Sequence, residues 1–275
     1  MDRTTAGWGS GLLGVMIFSG SLPATRVAVA DFSPIFLTSL RAVIATVLGA
    51  AFLLTLQQVK PARGDVFPLA IVALGVVVGF PLLTALALQH ITAAHSIVFI
   101  GLLPLSTAIF GVLRGGERPK PAFWLFSILG AATVAGFALS RSDGGSVVGD
   151  LLMVAAIVLC GLGYAEGATL SRRLGGWQVI SWALLLSLPM TAVIALLSLP
   201  ASWGGVGAPA WISLAYVSIF SMLVGFLFWY RGLALGGIAG VGQLQLLQPF
   251  FGLTLAAMLL HEPIAWTMIA STAVS

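Results

Sequence analysis

The chain has 275 residues, of which 59% are hydrophobic and only 7% carry a formal charge, against about 25% charged in ordinary soluble domains. That composition excludes a soluble domain and reads as a polytopic membrane protein whose first partner is the lipid bilayer. The net charge of +4 does not imply nucleic acid, because the twelve Lys and Arg residues lie between apolar runs, where membrane topology accounts for them.

Apolar runs of about 20 residues, enough for a helix to cross about 30 Å of hydrocarbon, follow one another along the chain. Met1 to Gly7 holds one arginine and leads straight into the first run with no small-residue cleavage signal, so that run reads as a span and not a removable signal peptide. Nine spans are predicted at 8–28, 34–56, 66–88, 93–114, 121–140, 148–170, 177–199, 209–232 and 238–260. A tenth begins near Pro263 and is too short to span by Ser275, which predicts that the natural chain continues beyond this end. Cys160 lies within the sixth run, so it has no partner for an internal disulfide and no second thiol for a metal site.

Two stretches about 145 residues apart repeat each other. One reads Gly79-Phe80, Leu86-Ala87-Leu88, Pro104, Glu117; the other reads Gly225-Phe226, Leu233-Ala234-Leu235, Pro249, Glu262, and thirteen positions separate proline from glutamate in both. The polar turn Ser142-Asp143-Gly144-Gly145-Ser146 divides the chain into five-helix units over 1–145 and 146–275. Five is odd, so the second unit enters the membrane from the opposite side, the inverted repeat with which many secondary transporters frame a midplane site. The expected fold class is therefore all-α, ten transmembrane helices as a 5+5 inverted repeat around a central cavity, the tenth incomplete.

Loop charges orient the chain. Arg3, Lys60, Arg63, Arg114, Arg118, Lys120, Arg172, Arg173 and Arg231 fall on one side, Arg26 and Arg141 on the other, and Arg41 lies inside a helix. The positive-inside rule puts both termini in the cytoplasm. Gly75-xxx-Gly79, Gly163-xxx-Gly167 and Gly232-xxx-Gly236-xxx-Gly240 supply small faces for close helix packing. Prolines at positions 23, 81, 104, 189 and 249 fall within spans, and the matched pair Pro104 and Pro249 are candidate hinges.

The runs Ser33-Pro34 to Arg41, Gly79 to His95, Pro104 to Glu117 and the second copy to Glu262 resemble the ten-helix, EamA-type branch of the drug/metabolite transporter superfamily over nearly the whole chain. Within that branch the chain most resembles the bacterial YddG-type aromatic amino-acid exporters. The resemblance implies a carrier in the bacterial cytoplasmic membrane, two five-helix repeats around a central cavity, and export of amino acids or related metabolites by alternating access. Where many relatives have a Trp-Gly pair in the first span, this chain has Phe18-Ser19-Gly20, so the resemblance carries class and not substrate identity.

On physical grounds a phosphate ester or dicarboxylate needs several fixed cations, and Arg41 is the only unambiguous mid-span one. A neutral amphipathic metabolite needs hydrogen-bonding groups and aromatic walls. The spans offer Ser19, Ser21, Thr25, Phe80, Thr84, His95, Phe99, Tyr164, Trp229, Tyr230, Gln245 and Gln248. Trp229 and Tyr230 also fit an interfacial aromatic belt. On an α-helix Gln245 and Gln248 share a face that turns inward, while Gln243 points away. Arg41 is read first as structural, bonding loop carbonyls or snorkelling outward, and ligand contact ranks second. Glu117 and Glu262, at mirrored helix ends, are read as fixing loops at least as much as gating. Glu166, His90 and His95 are the titratable choices for ion coupling, all toward helix ends, and leave proton antiport and facilitated diffusion both open. No His-Glu-x-x-His, phosphate loop or aspartate pair supports an enzyme, and no catalytic residue, cofactor or metal is expected. A lipophilic-cation efflux pump of the same superfamily is the rival reading. A complete repeat pair encloses a cavity alone, which permits a monomer.

Overall fold

The computed structural model describes residues 3–140 and 146–274; within these the chain is all-helical, without strands. Among the described residues eight helices are long and apolar enough to cross a membrane: α1 (Thr4–Asp31), α2 (Pro34–Thr55), α3 (Arg63–Ala87), α4 (Ala93–Gly115), α6 (Val147–Leu174), α7 (Gly176–Leu197), α8 (Ala208–Gly236) and α9 (Ile238–Leu260). They run from 22 to 29 residues, about 33 Å or more at 1.5 Å per residue. Helix α5 (Pro121–Ser140) is shorter and apolar, and α10 (Trp266–Val274) packs against it. Eight of the nine expected spans thus recur within a few residues at each end, and the fifth, 121–140, appears as the shorter α5; residues 141–145, with Arg141 and all of the polar turn but Ser146, lie outside the described residues. Apolar side chains such as Leu13, Val47, Leu74, Phe126, Leu196 and Met258 point outward from their helices, the surface that a lipid-facing bundle requires.

Helix ends are closed by identifiable donors and acceptors. Ser33 caps α2 by accepting from Phe36 N–H at 3.2 Å, with Pro34 in the first turn where its missing N–H costs nothing. At the start of α4, Thr92 accepts from His95 N–H at 3.1 Å, and the Glu262 carboxylate accepts from Ala93 and Ala94 N–H at 3.1 and 2.7 Å. Glu117 does the corresponding work at the start of α9, accepting from Ile238 N–H at 3.3 Å and from Arg172 at 2.8 Å. The glutamate that follows α4 therefore caps α9, and the one that follows α9 caps α4. Each comes after a residue in the left-handed region, Gly116 at φ 66° and His261 at φ 54°.

The repeat also appears as matched departures from α geometry. Wide π turns occupy Ala73–Gly79 in α3 and Val217–Val224 in α8, the first taking in the glycine of Gly79-Phe80 and the second ending directly before Gly225-Phe226. Tight 3₁₀ turns occupy Ile100–Leu102 in α4 and Gln243–Leu247 in α9, before Pro104 and Pro249. Proline has no N–H to offer the carbonyl four residues back, so Leu103 donates to Ile100 O and Gln248 to Gln245 O instead, tightening the turn.

Packing follows the same pairing. Helix α1 lies along α8, α3 along α6, and α2 along α7. A Cβ on Gly232 would stand 2.7 Å from the backbone of Gly11, and one on Gly75 would stand 2.9 Å from Gly163 Cα. Both crossings depend on bare backbone meeting bare backbone, the use of small residues at four-residue spacing.

Contacts between helix ends define two faces. On the face where α1 begins, Arg114 pairs with Glu166 at 2.7 Å, Arg172 with Glu117 at 2.8 Å, and Arg173 with Asp65. On the opposite face His95 pairs with Asp150 at 2.8 Å, Arg26 donates to Leu88 O, and Asp31 accepts from Gly207 N–H at 2.9 Å.

Candidate functional site

A central cavity forms where six helices meet. Its walls are Phe18, Ser21, Leu22 and Thr25 of α1, Arg41 of α2, Val76, Phe80, Pro81 and Thr84 of α3, Tyr164 of α6, Ser221 and Phe226 of α8, and Gln248 of α9. The backbone irregularities converge on it. Helix α1 breaks at Gly20, and Tyr216 of α8 donates to the Ile17 carbonyl beside the break at 2.6 Å. A Cβ on Gly20 would stand 2.5 Å from that phenolic oxygen. The break presents Ser21, the π turn of α8 presents Ser221, and the two hydroxyls hydrogen-bond at 2.7 Å.

Arg41 enters this pair from α2. Its Nη2 donates to Ser221 Oγ at 3.3 Å, while its Nε has no protein partner. Seven positions from the start of α2 place it about 10 Å along the helix, and only 5% of the residue is exposed. Gln248 Oε1 is likewise buried without a partner, and Thr84 turns its hydroxyl back to Phe80 O at 2.8 Å.

Below the polar groups, toward the face where α1 begins, lies an aromatic layer. Phe18 meets Phe226 with ring centroids 5.0 Å apart, Tyr164 meets Trp229 at 5.4 Å, and Phe226 meets Tyr230 at 5.2 Å. Tyr230 donates to Gly163 O at 3.1 Å across α8 and α6. The space left between the walls is about 20 Å³, room for one water molecule, which needs about 10–15 Å³. An open cleft of about 560 Å³, lined by Trp177, Gln178 and Arg231 among others, lies on the face where α1 begins.

Of the residues singled out in the sequence, Ser21, Thr25, Phe80, Thr84, Tyr164 and Gln248 line the cavity. Ser19 does not; its hydroxyl returns to Val15 O in its own helix at 2.8 Å. His95 and Phe99 sit away from the cavity, where the His95 ring packs on Phe137 and bonds Asp150. Trp229 and Tyr230 are fully buried beneath the cavity and form no interfacial belt. Gln245 and Gln248 are both buried, but Gln245 turns to Thr107 at 3.4 Å. Arg41 neither bonds loop carbonyls nor snorkels; it points inward, because its face of α2 looks at α8 and not at a helix end. Glu117 and Glu262 lie at helix ends as backbone caps, away from the cavity. Phe18, Leu22, Val76, Pro81, Ser221 and Phe226 also line the cavity and were not singled out. Phe226 had a signal, since it is the repeat mate of Phe80; Leu22 and Val76 had none.

The likeness to known proteins agrees in extent with this whole bundle. The model of the EamA-like transporter family matches residues 6–139 and again 147–275. The chain is 65% identical over 270 residues to the uncharacterized transporter YdeK of Bacillus subtilis, covering 98% of this chain and 94% of that one. It is 24% identical to the uncharacterized transporter YvbV of the same organism over 93% of this chain and 84% of YvbV. A solved crystal structure of 21% sequence identity superposes with a TM-score of 0.75 over 99% of this chain and 96% of the other, which concerns the fold. Those relatives' names state transport and no substrate. The family match in both halves, with a relative at 65% identity over nearly its full length, places this membrane protein in the EamA-like transporter family.

Proposed function

We propose that the chain is a secondary transporter that exports neutral or aromatic amino acids, or related small amphipathic metabolites, across the bacterial cytoplasmic membrane by alternating access. The observation that carries this reading is the central cavity, in which four rings, hydroxyl groups and one amide meet at the crossing of the two halves. Aromatic walls with a few convergent polar groups suit a small ligand with a bulky apolar side chain. The reading includes two inverted five-helix repeats over 1–145 and 146–275, and the crosswise glutamate caps and matched π and 3₁₀ turns support it. Both termini lie in the cytoplasm in this reading, on the face that carries three arginine–carboxylate pairs. A single chain lines the whole cavity, which permits a monomer as the working unit. The resemblance to aromatic amino-acid exporters supports the substrate class.

The rival, efflux of lipophilic cations, is disfavoured by two observations. Arg41 puts a positive charge in the cavity wall, and Glu166, the carboxylate such a pump would turn toward its substrate, is tied to Arg114 outside it. The test is flux in proteoliposomes with labelled aromatic, aliphatic, cationic and anionic amino acids and one lipophilic cation. Saturable flux of neutral or aromatic amino acids is expected; flux of the lipophilic cation alone moves the protein to the drug-efflux class.

A further inference from the structure

Arg41 differs from the other paired arginines. Arg114, Arg172 and Arg173 each face a carboxylate, whereas no carboxylate lines the cavity and Arg41 meets only the Ser221 hydroxyl among the described residues. Ser221 in turn is hydrogen-bonded to the Ser21 hydroxyl, so the guanidinium rests on a neutral pair. A guanidinium is always charged and presents its donors as a planar fork matched to carboxylate geometry. Buried away from water with Nε unpartnered, it is stabilised most by an anion that the protein itself does not supply. The charge count is then decisive. A zwitterion brings an ammonium as well as a carboxylate into walls that hold no acidic group, and leaves the site with a net positive charge. A monoanion brings the charge to zero.

We infer that this cavity recognises its substrate through the carboxylate, held by Arg41 with Ser221 and Ser21, and takes amphipathic monocarboxylates whose α-ammonium group is dispensable. The apolar part lies among Phe18, Phe80, Tyr164 and Phe226. Gln248 Oε1, an acceptor without a partner, receives an amino or hydroxyl donor on the α-carbon, and rotation of the same amide by half a turn offers Nε2 as donor to a 2-oxo group. This inference rests on the transport reading above and narrows it, since it makes 2-oxo and 2-hydroxy acids substrates alongside amino acids and excludes amines.

Three probes that share a phenyl ring separate the possibilities. Proteoliposomes holding the purified protein, and protein-free liposomes as the permeation blank, are given labelled L-phenylalanine, phenylpyruvate or phenethylamine at pH 7.5. The expected result is saturable phenylpyruvate flux at least equal to that of phenylalanine, with phenethylamine at the blank. Arg41→Gln is expected to lower phenylpyruvate flux at least tenfold, and Arg41→Lys to keep a measurable part of it. Because Arg41→Gln removes a buried group and can fail to fold, unlabelled phenylpyruvate and phenethylamine are also compared as competitors of phenylalanine flux in the wild-type protein. Only phenylpyruvate competes if the carboxylate is what is read. Flux of phenylalanine without phenylpyruvate, equal flux of phenethylamine, or unchanged flux in a folded Arg41→Gln protein overturns the inference and leaves the transporter reading standing. Absence of flux with all three probes overturns both.

Discussion

A contact of backbone on backbone between α1 and α8 gives a sharp test of how the bundle is built. A methyl group on Gly232 of α8 would stand 2.7 Å from Gly11 Cα and N in α1 and 3.1 Å from Gly7 O, where carbon atoms prefer about 3.5–4.0 Å. These are backbone atoms and cannot rotate away, so Gly232→Ala forces α1 and α8 apart by about 1 Å. Overpacking of that kind costs about 1–3 kcal/mol, partly hidden by the gain of about 1 kcal/mol when alanine replaces glycine in a helix. Gly9→Ala isolates the two effects, because Gly9 lies on the exposed side of the same α1 with nothing within 4 Å of its Cβ position. The propensity gain is common to both variants, so their difference in stability is the overpacking alone. At about 2–4 °C per kcal/mol for a chain of this size, Gly232→Ala should melt about 2–12 °C below Gly9→Ala in detergent, followed by fluorescence-detected size exclusion. Gly11→Ala should fall between them, since its Cβ meets the movable ends of Val241 and Leu244 first. Equal melting of Gly232→Ala and Gly9→Ala would refute the backbone contact and the packing argument built on it.

Glu262→Ala deprives Ala93 and Ala94 N–H of their acceptor at the start of α4 and should cost about 1–2 kcal/mol, the worth of a lost cap, measured by the same melt. In the Arg114–Glu166 pair the arginine side chain is 41% exposed and the carboxylate 7%. Arg114→Gln strands a buried charge, whereas Glu166→Gln leaves an arginine that reaches solvent; the first should lower folded yield clearly more than the second, and the reverse order removes the asymmetry. Pro104→Ala combined with Pro249→Ala restores an N–H beside each 3₁₀ turn and should slow flux several-fold while changing half-saturation less than twofold. Wild-type flux in the folded double variant would dispose of the hinge.

Hydropathy located the helices because lipid exposure demands uninterrupted apolar surface, and the duplicated Pro-to-Glu spacing marked the places where both halves leave α geometry. What the linear pattern lacked was azimuth. A helix turns about 100° per residue, so one residue's error in the facing direction moves a side chain from cavity to neighbour. Arg41 was read toward a helix end and faces the centre; His95 was read toward the centre and faces Asp150. The glutamines show a second limit: residues three apart share a face in both α and 3₁₀ geometry, yet a shared face does not fix a shared partner. Gln245 then reaches Thr107 and leaves the cavity to Gln248. Phe226 was within reach of the sequence, because the duplication already paired it with Phe80.

Free space of about 20 Å³ is far below the roughly 300 Å³ of a small-ligand pocket, so transport through this site requires its walls to separate. The ion pairs are not what holds them. Arg114, Arg172 and Arg173 are each two-fifths or more exposed, so solvent screens one side of every pair. The aromatic layer is the stronger barrier on the face where α1 begins, because its rings bury about 150–250 Å² apiece, which at 25 cal/mol per Å² is at most about 4–6 kcal/mol per ring. Opening that unpacked those rings one by one would be slow, so the rings must travel with the helices that carry them. The soft points allow this. The Gly20 break, the two π turns and the 3₁₀ turn of α9 lie beside the cavity, and the 3₁₀ turn of α4 lies in mid-helix, so these helices have soft points away from their packed ends. The crosswise glutamate caps tie α4 to the end of α9 on one face and α9 to the end of α4 on the other. Under the proposed alternating access these two helices tilt as a pair, so that widening one face narrows the other.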